Sequence, residues 1–140
     1  PFRIGKAEIL ADYGNDVAII ACGPLVYQSL VAAKKLAESG VKAVVVNCPT
    51  LKPLDKPTLL KVARDCAAVV TVEEHQIHGG LGGAVAELLS QNLPTPMEFV
   101  GMPDSFGESG QPDELLAKYQ MDVVSIKHAV KKVIMRKRPS

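Results

Sequence analysis

The sequence predicts a three-layer α/β domain in which a mainly parallel sheet is buried between helices. Three apolar runs have the length of strands, at Val17–Ala21, Ala43–Asn47 and Ala67–Glu73. They are continuously apolar instead of alternating, which is typical of parallel strands covered on both faces. Helical patterns separate them, and this alternation favours an αβα sandwich with Val17–Ala21 between the other two strands. Weaker patterns add strands at Lys6–Leu10 and Met97–Gly101.

The predicted helices have recognisable ends. Gly40 is placed to end the first helix, which begins at Gly23-Pro24, because glycine readily adopts the left-handed conformation found there. Asp55 is placed to cap the second helix, since its side chain can accept from free N–H groups of the first turn. Near the C-terminus the patterns predict a short helix over Pro112–Tyr119 and a separate last helix from about Val123.

Composition indicates an ordinary globular domain. The chain has 140 residues, of which 47% are hydrophobic and 22% charged, so we expect one domain over residues 1–140. Its three cysteines, Cys22, Cys48 and Cys66, form no CxxC pair and lie in or next to apolar segments. We therefore expect free thiols in a reducing cytoplasm. No apolar stretch approaches the ~20 residues that cross a bilayer, so no membrane partner is expected.

Charge is distributed unevenly along the chain. The net charge is +1, yet the last ten residues, KKVIMRKRPS, contain five Lys or Arg and no acid. We interpret this end as the cationic terminus of a helix, where the dipole favours positive charge. The remaining residues are acidic overall, and at 4% the aromatic residues are too few for a base-stacking surface. Nucleic acid is therefore not expected as a partner.

One stretch, VVTVEEHQIHGGLGGAVAELL at residues 69–89, concentrates polar groups between a strand and a helix. Its candidate anion-binding or domain-interface residues are Glu73, Glu74, His75, Gly79, Gly80, Gly82 and Gly83. A glycine-rich turn that opens a helix presents free N–H groups and can hold an anion. The same glycines can instead allow the helix to pack closely on the sheet. Gly82 or Gly83 is expected to need a positive φ or a close backbone approach.

Three other kinds of functional site fit the sequence less well. For dinucleotide binding, GLGGAV has Val85 in place of the third glycine and follows a later strand of the sheet. For zinc, the cluster around His75 and His78 lacks further rigid ligands, because the only other histidine, His128, is expected on the polar side of the last helix. For nucleophilic catalysis, Cys22 precedes a helix, but no GxSxG elbow exists. We assign no catalytic residue and no metal ligand to this chain.

The stretch VTVEEHQIHGGLGGAVAELL resembles the C-terminal domain of the transketolase family of thiamine diphosphate enzymes. The segment Asp16–Asp55 is similar to the opening βαβ unit of that family, and the resemblance covers nearly all of residues 5–135. The glycine-rich corner is shared with deoxyxylulose-phosphate synthase and with β chains of 2-oxoacid dehydrogenases. The segment GMPDSFGESGQPDELLAKYQM at Gly101–Met121 is most similar to transketolase itself.

The resemblance implies a fold and a role. The fold is a mixed five-stranded sheet whose first strand is antiparallel. The full enzyme would move a two-carbon ketol unit from a ketose phosphate to an aldose phosphate, with thiamine diphosphate and Mg²⁺ bound by other domains and none on this chain. Partners would be the remaining domains or subunit of the same enzyme, in a homodimer.

Under this interpretation the glycine corner is a structural corner at a domain junction, with Glu73, Glu74 and His75 as its contacts. The loop at Cys22-Gly23 should face it across a crevice. Two other classes stay open, a module that docks a partner acyltransferase, as in 2-oxoacid dehydrogenases, and a free-standing nucleotide-binding α/β protein.

Overall fold

The computed structural model describes residues 4–74, 80–102 and 112–137. Its strands are β1 (Glu8–Asp12), β2 (Val17–Ala21), β3 (Ala43–Asn47), β4 (Val69–Glu74) and β5 (Met97–Met102). Its helices are α1 (Val26–Glu38), preceded by a 3-10 turn at Gly23–Leu25, α2 (Lys56–Cys66), α3 (Leu81–Asn92) and α4 (Pro112–Arg136). The strand order is β1-β3-β2-β4-β5, with β1 antiparallel to β3 and the other pairs parallel. This confirms the mixed five-stranded sheet and the predicted position of β2 between β3 and β4.

Two apolar cores lie on the two faces of the sheet. Helices α1 and α4 cover one face, and α2 and α3 cover the other. Alternate residues of β2 serve the two cores, since Ile19 packs toward α1 and α4 whereas Ile20 packs toward α2 and α3. All five residues of this central strand are buried, which explains why its sequence is continuously apolar.

Local signals set both ends of α2. The Asp55 carboxylate caps its first turn, accepting from Thr58 N at 3.3 Å and from Thr58 Oγ1 at 2.8 Å. The helix ends at Cys66, and the residue that caps it, Ala67, has a left-handed φ of 59°. Because this residue terminates the helix, β4 begins at Val69, two residues later than the predicted strand.

The predicted break in the last helix is wrong, because α4 runs without interruption from Pro112 to Arg136. At the predicted break Asp122 is buried, and it pairs with Lys118 one turn earlier at 3.0 Å and accepts from Gln28 of α1 at 3.5 Å. Although α4 has 25 residues, neither it nor any other helix in the described part of the chain is both long and apolar enough to span a membrane.

The first strand is displaced from its predicted position. It lies at Glu8–Asp12 and not at Lys6–Leu10, and its pairing with β3 shifts register between Ile9 and Ala11. This edge strand is mostly exposed, so burial imposes little apolar pattern on its sequence and its bounds are hard to predict.

Candidate functional site at the carboxyl ends of β2 and β4

The candidate site lies where the chain leaves the two central strands. The helix that follows β2, α1, packs on one face of the sheet, and the helix that follows β4, α3, packs on the other. The ends of two such adjacent parallel strands are where α/β sheets commonly place a site. Cys22 N donates to Val72 O at 3.3 Å, which holds the turn after β2 beside the end of β4. Cys22 therefore lies near Glu74, whose charge acts on its thiol, and the rest of the expected juxtaposition stays a prediction. His75 and Gly79, which were predicted to line the same crevice, lie outside the described residues.

The carboxylate of Glu73 binds the first turn of α3. Its Oε1 accepts from Leu81 N at 2.6 Å, and its Oε2 accepts from Gly82 N at 2.7 Å. Two of the N–H groups that a helix start leaves free are thus satisfied by a negative charge at the positive end of the helix dipole. The anion at this glycine-rich helix start belongs to the chain itself.

The glycines of the corner differ in what surrounds them. A Cβ on Gly80 would lie 2.7 Å from Glu73 Oε1, and a Cβ on Gly82 would lie 2.7 Å from Phe99 Cδ1 and 3.1 Å from Thr71 Oγ1. Nothing lies within 4 Å of the corresponding point on Gly83. Neither Gly82 nor Gly83 has a positive φ. Of the two, only Gly82 has a close approach, and side chains make it instead of the expected backbone.

Two residues of this corner were not predicted. Thr71 and Phe99 are register partners on β4 and β5, on the same side of the sheet as α3. The Thr71 hydroxyl is buried and has no hydrogen-bond partner among the residues that the structure describes. No local pattern could have indicated either residue, because their proximity to Gly82 depends on the pairing of β4 with β5.

The electrostatics around Cys22 oppose an activated thiol. Burial raises the pKa of Cys22 to about 11, with further contributions from the negative charges of Glu73 and Glu74. A thiol with this pKa is protonated at neutral pH and is a weak nucleophile. Within residues 4–74, 80–102 and 112–137 there is also no group of three or more His, Cys, Asp or Glu side chains arranged to hold a metal ion. His128 is exposed on α4, as predicted.

Comparison with known families gives this fold its context. The family described as "Transketolase, C-terminal domain" matches residues 5–126. This chain belongs to that family. The domain is 43% identical over 136 residues to a 6-deoxy-6-sulfo-D-fructose transketolase subunit of Clostridium sp. strain MSTE9, covering 97% of this chain and 42% of that protein. It is 47% identical over 126 residues to a putative transketolase C-terminal section of Methanocaldococcus jannaschii, covering 89% of this chain and 39% of the relative.

Synthases of deoxyxylulose phosphate are similar as well. The 1-deoxy-D-xylulose-5-phosphate synthase of Halothermothrix orenii is 39% identical over 133 residues, covering 94% of this transketolase-type domain and 21% of the synthase. Among solved structures, a split gene transketolase described as an inactive beta4 tetramer superposes with a TM-score of 0.83 and 44% identity, covering 98% of this chain and 45% of that one. The chain thus spans less than half the length of these relatives.

Proposed function

We propose that this chain is the C-terminal domain of a transketolase, an enzyme that transfers a two-carbon ketol unit between sugar phosphates. The observation that carries the proposal is the match to the split gene transketolase, at 44% identity over 98% of this chain. Two transketolase-type relatives, at 43% and 47% identity, support the same assignment. The segment FGESG followed by ELLAKY, which resembles transketolase itself, adds to this support.

In this proposal the domain is structural and does not carry the chemistry. Thiamine diphosphate would supply the carbanion that accepts and donates the ketol unit. The described residues do not fit this cofactor, because they offer no cluster of metal ligands and because the Leu81 and Gly82 N–H groups are already bound by Glu73. We therefore assign thiamine diphosphate and Mg²⁺ to other domains of the enzyme.

The corner between β4 and α3 is proposed to meet those other domains. The Glu73 carboxylate is committed to the start of α3, whereas the carboxylate of the half-buried Glu74 makes no hydrogen bond or ion pair within the described ranges. Its charge is therefore available for a contact across a domain junction. His75 and the neighbouring glycines, by their position in the sequence, belong to the same proposed junction.

Assembly with a second copy is part of the proposal. Helix α4 exposes Leu116, Met121 and Val124, and the neighbouring edge strand exposes Phe99. Exposed apolar side chains of this kind are typical of surfaces that a partner covers. The solved split gene transketolase is itself a tetramer of β chains. We expect a homodimeric enzyme in the cytoplasm, and light scattering of the assembled protein tests its stoichiometry.

The test of the function is reconstitution. Circular dichroism first verifies that the chain is folded alone, and calorimetry with thiamine diphosphate and Mg²⁺ then measures cofactor binding with and without the thiamine-binding part of the enzyme. We expect binding and ketol transfer from a ketose phosphate to an aldose phosphate only when that part is present. Tight cofactor binding by the chain alone would contradict the assignment of the cofactor site to other domains.

A second candidate is the C-terminal domain of a deoxyxylulose-phosphate synthase. The 39% identity to the Halothermothrix orenii synthase favours it. The same reconstituted protein distinguishes the two by its product. Formation of 1-deoxy-D-xylulose 5-phosphate, without ketol exchange between sugar phosphates, would replace the first proposal by the second.

A further inference from the structure

Two cysteines occupy the next register position beyond the ends of β2 and β3. Ala21 pairs with Asn47 in the parallel ladder, and Cys48 N donates to Ala21 O at 2.9 Å. The ladder therefore continues by one residue on each strand. That residue is Cys22 on the first strand and Cys48 on the second.

The two side chains lie on the same face of the sheet. Cys48 belongs to the apolar core under α2 and α3, and Cys22 packs against that same core. Cys22 has φ −137° and ψ 157°, so its backbone is still extended and preserves the alternation of the strand. Neighbouring strands lie about 4.8 Å apart. That spacing falls within the roughly 4.4–6.8 Å that separates the Cα atoms of disulfide-bonded cysteines.

We propose that Cys22 and Cys48 form a thiol pair that closes to a disulfide on exposure to glutathione disulfide. The thiolate of Cys22 attacks one sulfur of the oxidant and forms a mixed disulfide, releasing one glutathione thiolate that takes up a proton. The thiolate of Cys48 then attacks the sulfur of Cys22 and releases the second glutathione. Two protein thiols are oxidised, and one glutathione disulfide is reduced to two thiols.

Accessibility sets the order of these two steps. Cys22 is partly exposed, whereas Cys48 is only 1% exposed and donates from its Sγ to Thr50 O at 3.4 Å. An oxidant in solution therefore reaches Cys22 first, and Cys48 acts as the internal resolving thiol. The disulfide would join the ends of two adjacent strands and restrain the turn that leads into α1.

The reaction should be slow at neutral pH. Burial raises the pKa of Cys22 to about 11, as do Glu73 and Glu74. Burial also raises the pKa of Cys48 to about 11, with smaller increases from Cys22 and Asp55 and an opposing effect of the hydrogen bond to Thr50. The thiolate fraction of each group, and with it the rate of closure, should rise about tenfold per pH unit between pH 7 and 10.

Cys66 provides a matched control within the chain. It is buried, and burial raises its pKa to about 11 as well. It ends α2, before β4 begins, and its charged neighbours include Lys137 and Asp12, whereas those of Cys22 are Glu73 and Glu74. The pKa is thus raised to a similar value in all three thiols, and of the three only Cys22 and Cys48 are register neighbours.

The test exposes the purified protein in its native assembly to glutathione disulfide at pH 8.5, blocks remaining thiols and maps peptides by mass spectrometry without reduction. We expect one linked peptide pair joining Cys22 to Cys48 in the wild type and in C66S, formed at similar rates. C48S should instead accumulate a stable glutathione adduct on Cys22, and C22S should show neither product. A wild-type protein that keeps glutathione on Cys22 without resolution would overturn the proposal, as would linkage that involves Cys66 equally.

Discussion

At the starts of both α2 and α3 a carboxylate accepts hydrogen bonds from the free backbone N–H groups of the first turn, but the two carboxylates come from different parts of the chain. At α2, Asp55 stands at the cap position itself and binds Thr58, three residues further along. At α3, the cap position is Gly80, which has no side chain, and the carboxylate comes from Glu73 at the end of the preceding strand. The first helix start is encoded within four residues. The second exists only when β4 and α3 are already packed together.

The two carboxylates also join different parts of the fold. Asp55 is not purely local, since its Oδ2 also accepts from Ala7 N at 2.8 Å and so ties α2 to the segment before β1. Glu73 joins the strand end directly to the helix start, which fixes the direction in which α3 leaves the sheet. Substitutions at the two corners should therefore differ in size and in what restores them.

The largest effect is expected for Glu73→Ala. It removes a carboxylate that accepts from two backbone N–H groups at a half-buried helix start, so the free energy of unfolding should fall by about 3 kcal/mol. Glu73→Gln retains one oxygen acceptor and should lose about half as much. Urea unfolding measures both. Glu74→Ala is the matched control and should change stability little, so equal losses at Glu73 and Glu74 would contradict the role given to Glu73.

Asp55→Ala should lower the free energy of unfolding by about 2 kcal/mol, because it removes the cap of α2 together with the bond to Ala7. Burial alone would raise the pKa of Asp55, but the hydrogen bonds from Ala7 and Thr58, with the nearby Lys6, hold that pKa below its ordinary value of 3.8. The carboxylate therefore stabilises the fold above pH 3.8, and this stabilisation is lost as the pH falls through the lower pKa of the folded state.

The measurement for Asp55 is the difference in unfolding free energy between wild type and Asp55→Ala as a function of pH. The difference should be constant from pH 5 to 7 and should shrink below about pH 4. A difference that grows as the pH falls would mean that the carboxyl group is stabilised in its protonated form, contrary to its hydrogen bonds.

Features of the fold that depend on neighbouring residues could be predicted from the sequence, whereas features that depend on packing between elements could not. Strands β2 and β3 have their predicted bounds, because strands buried on both faces must be apolar at every position. The cap at Asp55 was predictable because it lies beside its helix. The partners of Glu73 and the packing at Gly82 depend on how β4, β5 and α3 pack together, so no local pattern reports them. At Asp122 the contact with Gln28 of α1 is equally non-local, whereas the pair with Lys118 is local.

Alanine substitutions at the paired glycines of α3 should have opposite signs. At Gly82 the new Cβ would meet Phe99, Glu73 and Thr71 at 2.7–3.1 Å, so crowding should outweigh the gain in helix propensity and lower stability by about 1 kcal/mol. At Gly83 nothing lies within 4 Å, and alanine should raise stability by roughly 0.5–1 kcal/mol. Thermal unfolding distinguishes the signs.

The Phe99 ring provides the check on this explanation. If the ring is the main obstacle at Gly82, then Gly82→Ala should cost less in a Phe99→Ala background than in the wild type, with a coupling measurable by a double-mutant cycle. The coupling of Gly83→Ala with Phe99→Ala should be near zero. Coupling at Gly83 as large as that at Gly82 would contradict the assigned contacts.

The smallest effect is expected at Thr71. The corner at α3 contains its hydroxyl, which is buried without a hydrogen-bond partner among the described residues, whereas the Asp55 carboxylate at α2 has its hydrogen-bond partners. A buried hydroxyl left in this state is destabilising. Thr71→Val replaces it by a methyl group of similar size and should raise the free energy of unfolding by roughly 0.5–1 kcal/mol, measured by urea unfolding. Thr71→Ser keeps the hydroxyl but removes a buried methyl group, and it should lower stability by about 1 kcal/mol. Loss of stability in the valine variant would show that the hydroxyl is hydrogen-bonded in solution, and the corner at Glu73 would then be as completely satisfied as the corner at Asp55.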